Sequence, residues 1–152
     1  MGAKSLKPSL ASLYDDDFAA WASETARQLR AGRFSEIDVE HVAEEIEDMG
    51  KSEKREMLRR MTVLVMHLLK WKWQADKRST SWQSTMATQR VELHRLLRQS
   101  PSLKRTIAAS VADIYPDAVE SASIETGLPA QTFPASCPFS VDQILERTFL
   151  PG

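Results

Sequence analysis

A chain carrying DVEHVAEEIEDMGKSEKREMLRRMTVLVMHLLKWKWQ at residues 38–74 has little choice but to be helical there. Val39, Val42, Ala43, Ile46 and Met49 fall at the three-four spacing of one buried stripe. Asp38 stands before them, where its carboxylate can accept a free backbone N–H as N-cap. Glu40, Glu44, Glu47 and Asp48 take the wetter side. Gly50 offers a C-terminal cap and Ser52 a new N-cap, so the pattern predicts two consecutive helices with a break at 50–52. A single kinked helix is the alternative. Beyond it, Met57, Met61, Leu64, Leu68 and Trp71 continue the stripe. Residues 61–69 are apolar nearly all round, as expected of a helix wrapped by others. The run is too short for a bilayer, which needs about 20 apolar residues.

The flanking sequence is also helical. Asp15 or Asp16 is expected to cap a first helix with Phe18, Trp21, Ala22, Thr25 and Leu29 inward, stopped by Gly32. Ser79 or Ser81 caps a helix whose stripe is Trp82, Met86, Gln89, Leu93, Leu96 and Leu97. Ser100-Pro101 breaks it, because the residue before a proline avoids the helical region. Leu103, Ile107, Val111, Ile114 and Tyr115 begin the next stripe, with a kink or tight break expected at Pro116. Residues 128–139 carry three prolines and read as an extended loop whose Phe133 and Phe139 plug the core. Ser140 and Gln143 have the spacing of a capping box before a short last helix. The expected fold is all-α, a single-domain bundle of five to six helices over residues 14–152, with residues 1–13 a flexible lead-in.

The motifs EEIEDMG (44–50), HLLKW (67–71) and SW (81–82) resemble the domain of unknown function 29 family, a group of small bacterial proteins. LYDDDFAAW (13–21), LRAGRF (29–34), SPSL (100–103), ETGLP (125–129) and the later FP (133–134) extend the likeness, in order, over nearly the whole chain. The resemblance implies an all-helical fold and no particular activity.

Composition narrows the remaining classes. The 42% hydrophobic and 27% charged content is that of a globular protein. Cys137 is the only cysteine, which rules out an intrachain disulfide and fits a reducing, cytoplasmic setting. No signal peptide or membrane span is read. The net charge of −1 hides an asymmetry. Residues 1–50 carry 5 basic and 11 acidic side chains, residues 51–105 carry 14 and 4, and residues 106–152 carry 1 and 6.

Three groups could carry chemistry. In the first, Glu44 and Glu45 are placed to meet His67 across adjacent helices, with Arg78 nearby; such a polar cluster suits acid–base work. The acids alone could hold a hard cation, but a bundle di-metal site needs repeated Glu-x-x-His, and here His41-x-x-Glu44 occurs once, reversed. No metal ligand set and no cofactor motif is read, and a buried His bonded to a neighbour is the plainer account of His67.

Lys70, Trp71, Lys72, Trp73, Lys77 and Arg78 form the second group, cations interleaved with aromatic rings as in binders of single-stranded nucleic acid. Tryptophans at helical spacing are more often core anchors than platforms. The third group is the wider basic surface of the middle helices, including Lys51, Arg55, Arg59, Arg90, Arg95, Arg98, Lys104 and Arg105. The expectation is therefore an interaction module that binds a protein or polyanion through those helices, with a homodimer compatible. The alternatives are an acid–base or metal-dependent enzyme and a single-strand binder. Nucleic acid is not the favoured partner, because such domains are basic overall.

Overall fold

The computed structural model describes residues 9–152, so most of the expected lead-in, residues 1–8, lies outside the described residues. The fold is all-α, with six α-helices and no strand among the described residues. Its contacts group into two compact units, Met1–Lys51 and Ser52–Gly152.

In the first unit, α1 (Leu10–Asp16) begins where Ser9 Oγ accepts from the Ser12 N–H at 3.2 Å. The end of the expected lead-in is thus helical. Asp17 closes α1 and caps α2 (Phe18–Arg30), its carboxylate accepting from the Ala20 N–H at 3.1 Å. The cap therefore falls one residue later than Asp15 or Asp16. Only Asp17 has left helical geometry (φ −151°, ψ 85°), so only its side chain can reach back to the free N–H groups of α2. Trp21 and Thr25 are buried on α2, whereas Phe18 and Leu29 stay exposed. Gly32 ends this segment in left-handed geometry at φ +74°, which a side chain would strain. Phe34 follows in a single 3₁₀ turn and is exposed.

The main difference from expectation is α3, which runs unbroken from Val39 to Trp73, 35 residues. Gly50 neither caps nor breaks it. A helical glycine costs about 1 kcal/mol relative to alanine. Strong helix formers on both sides (Glu44, Glu45, Lys51, Glu53, Lys54, Arg55, Glu56) outweigh that cost.

In the second unit, Met57 to Trp71 of α3 supply the central core, with Leu64, Val65, Leu68 and Leu69 fully buried. Helix α4 (Thr80–Gln99) starts at the Ser79 cap, whose Oγ accepts from the Trp82 N–H at 3.2 Å. It buries Met86, Leu93, Leu96 and Leu97. A 3₁₀ helix, Pro101–Thr106, leads into α5 (Ile107–Thr126). Helix α5 passes through Pro116 without ending. The proline removes the hydrogen bond to the Ala112 carbonyl, but both residues are exposed, so water can satisfy that oxygen. Gly127 ends α5 in left-handed geometry.

The proline-rich loop is held from inside. Phe133 and Phe139 are buried, and Tyr115 donates its hydroxyl to the Pro134 carbonyl at 2.6 Å. Burial pushes the Tyr115 hydroxyl up to about 12, aided by Cys137. The five-residue α6 (Val141–Leu145) opens on the expected capping box, with Ser140 and Gln143 bonded reciprocally at 3.0 and 3.1 Å. Among the described residues, no helix is long and apolar enough to cross a membrane.

Candidate functional site

The residues singled out above fall into two local environments. In the first unit, Glu45 accepts from the Tyr14 hydroxyl, and the Tyr14 ring stacks on the His41 imidazole with centroids 3.9 Å apart. His41 Nδ1 bonds to Asp38. The bond to His41 holds the Asp38 carboxyl below its usual range, and the Asp38 carboxylate raises the His41 imidazole above its own. The bond to Glu45 moves the Tyr14 hydroxyl well above the phenol range. Glu44 is exposed on α3. The contact expected between Glu44 or Glu45 and His67 presumed two adjacent helices; all three residues lie on the single helix α3.

In the second unit, His67 is buried, and its Nδ1–H donates to the Val63 carbonyl one turn earlier at 2.8 Å. Desolvation holds the imidazole below its usual value, and the Lys70 ammonium adds to the effect. His67 is thus a neutral ring tied to its own helix. Arg78 folds back on the end of α3, donating Nε–H to the Trp71 carbonyl at 2.8 Å, its guanidinium 5.0 Å from the centre of the Trp71 ring.

The basic-aromatic group divides between interior and surface. Trp71 is in the core. Lys70 is only 6% exposed, its ammonium donating to Glu125 while lying 4.4 Å from the centre of the Trp82 ring. Next to it, Gln74 donates to the Thr126 carbonyl at the end of α5, at 3.2 Å. Three separate motifs, HLLKW, SW and ETGLP, therefore meet in one lysine–tryptophan–glutamate cluster that fastens α5 to the end of α3. Trp73 is half-buried, edge-on to Phe133 at 5.6 Å, with the Lys72 ammonium over its ring at 5.3 Å. Lys72, Lys77 and Arg78 are exposed.

The basic surface is also uneven. Lys54, Arg55, Arg59, Arg98, Lys104 and Arg105 are exposed. Arg95 instead pairs with Glu92 and Glu56, and Arg60 with Glu56. Arg90, expected on the surface, is 2% exposed. Its guanidinium donates to the carbonyls of Ile144, Gln143 and Arg147, at 2.9, 3.3 and 3.5 Å. One turn on, His94 Nε2–H donates to the Leu145 carbonyl at 2.8 Å. Burial lowers the basicity of Arg90 while leaving it a cation. A basic residue at this position reads as surface by type. Its sequence signal is its spacing, four residues after Met86 and three before Leu93, which places Arg90 on the buried stripe of α4.

Burial pushes the Cys137 thiol up, and its sulfur lies 3.5 Å from the Phe139 carbonyl, an environment opposed to a reactive thiolate. No group of three or more His, Cys, Asp or Glu placed to hold a metal is found among the described residues.

A second feature of the first unit is its exposed apolar surface. On α3, Val39, Ile46 and Met49 are 62%, 59% and 61% exposed. Ala43 and Gly50, also exposed, continue the line from Val39 through Ile46 at steps of four and three. Glu40, Glu44 and Glu47 form an exposed acidic row beside it at the same steps. The stripe expected to be buried is therefore largely uncovered. Of its members only Val42 is partly buried, while His41 and Glu45, outside the stripe, meet Tyr14.

No curated protein and no solved structure matches the chain. A family model described as Domain of unknown function DUF29 matches residues 13–150, and the chain belongs to that family.

Proposed function

We propose that the protein is an interaction module whose first unit docks a basic amphipathic helix of a partner protein along Val39, Ala43, Ile46 and Gly50 of α3. The reading rests on the exposure of Val39, Ile46 and Met49, each about three-fifths open to solvent on one helix. Exposed large apolar side chains that line up are a mark of interaction surfaces. The alanine and glycine in the line leave room for a second helix to approach closely. Charge favours an opposite partner over a second copy. Residues 1–50 carry 11 acids against 5 bases, and symmetric pairing of two copies would set the Glu40–Glu44–Glu47 rows near one another. A helix with lysines or arginines beside its apolar face would instead complement them.

The test uses a fluorescent amphipathic helical peptide of leucine and lysine against the full chain, followed by anisotropy. Binding should weaken about tenfold in Ile46→Asp. It should also weaken with rising salt and vanish when the peptide lysines become glutamates. Equal binding by wild type and Ile46→Asp would sink the reading.

A second reading, capture of a polyanion, has the exposed Lys54, Arg55 and Arg59 in its favour. It predicts heparin binding that Arg55→Glu weakens and Ile46→Asp leaves alone. The single-strand and acid–base readings have less support. Trp71 and Lys70 are inside, and Glu45 Oε1 and His67 Nδ1 are engaged by the Tyr14 hydroxyl and the Val63 carbonyl.

A further inference from the structure

The second unit contains a cavity of about 330 Å³ where α4, the 3₁₀ helix Pro101–Thr106, the start of α5 and α6 come together. Its floor is aliphatic: Leu97, Ile107, Val141 and Leu145. Its polar lining is His94, Arg98 and Lys104. Among the described residues no carboxylate lines it, in contrast to the neighbouring face of α4, where Glu92 and Glu56 neutralise Arg95. Leu97 and Ile107 are each 4% exposed, so the floor belongs to the ordered core. The wall is fixed too, because His94 holds the Leu145 carbonyl and Arg90 holds that of Ile144. The cavity is thus a preformed apolar recess with two cationic side chains at its edge and no acid to satisfy them.

We propose that this recess binds a small amphiphilic organic acid, with its apolar body on Leu97, Ile107, Val141 and Leu145 and its carboxylate between Arg98 and Lys104. The volume lies at the small end of ligand pockets and accommodates roughly ten non-hydrogen atoms at about 30 Å³ each. That size fits a medium-chain carboxylic acid. The aliphatic floor supplies the attraction for the chain. The guanidinium of Arg98 can grip a carboxylate through two parallel N–H bonds, and Lys104 adds a point charge. Both residues are exposed, outside the packed core.

The experiment is a titration of the full chain with sodium octanoate, observed by calorimetry and by the methyl resonances of Leu97, Ile107, Val141 and Leu145. Octanoate should bind saturably, shift those methyls, and leave the methyls of Val39 and Ile46 in place. The double variant Arg98→Glu with Lys104→Glu should keep the helical signal and bind at least about tenfold more weakly. Acetate, which lacks the chain, and 1-octanol, which lacks the charge, should each bind far more weakly than octanoate. Three results would each overturn the assignment: no methyl shift in millimolar octanoate, unchanged affinity in the folded double variant, or 1-octanol binding as tightly as octanoate.

Discussion

The Arg90 guanidinium, buried on α4, donates to the Ile144 carbonyl at 2.9 Å across 54 residues of sequence. Helix α6 has five residues and cannot persist alone. It survives because the carbonyls at its C-terminal end, which no helical N–H can reach, point at a cation. Arg90→Ala removes the donors and strands those carbonyls in the interior. The expected loss is about 3 kcal/mol, read as a lower urea midpoint together with faster amide exchange in residues 140–150. Arg90→Lys keeps the charge but not the fork, and should recover less than half of it.

Histidine 67 gives the second unit a pH dependence of definite sign. Burial, helped by Lys70, depresses its folded pKa below the unfolded value. The neutral ring therefore favours folding. Its contribution is fully present above the unfolded value of about 6.5 and is lost as pH falls from there through the folded pKa. Measured from pH 7.5 down to pH 5.5, the unfolding free energy of the wild type should fall relative to that of His67→Gln. His41, raised by Asp38, has the opposite sign and loses its contribution as pH rises, so the variant is what isolates His67. An unchanged slope in His67→Gln would contradict this account.

Gly50 is helical, and a methyl group there would meet nothing within 4 Å. Gly50→Ala should raise stability by about 0.5–1 kcal/mol, chiefly by restricting the unfolded chain. Circular dichroism at 222 nm followed through urea denaturation would show the shift. A destabilised Gly50→Ala would mean that the helix is interrupted at this point in solution.

The sequence was readable where local chemistry and burial agree. Met86, Leu93, Leu96 and Leu97 of α4, Ile107, Val111, Ile114 and Tyr115 of α5, the Ser79 cap, the Ser140–Gln143 box, and the phenylalanines closing the proline-rich loop are as their spacing predicts, whereas Gln89 is only partly buried. It misled where a residue type points one way and its surroundings decide the other. Gly50 looks like a stop, but helix continuity is set by the residues around it. Arg90 looks like surface, yet its charge is consumed by carbonyls far along the chain. Val39, Ile46 and Met49 have the spacing of a buried stripe, and periodicity records which face is apolar, not whether anything covers it. The partners of Glu45 and Lys70, Tyr14 and Glu125, were present in the quoted motifs, but 31 and 55 residues away, beyond the reach of any helical repeat.

The Lys70–Glu125 pair also sets an order of events during synthesis. The ammonium is made 55 residues before the carboxylate that receives it. At roughly 5–20 residues per second, the nascent chain holds that lysine unpaired for some 3–11 s. Closing the core around it earlier would bury a charge without its counterion. Packing of α3 against α4 around Lys70 is therefore completed electrostatically only when the end of α5 arrives.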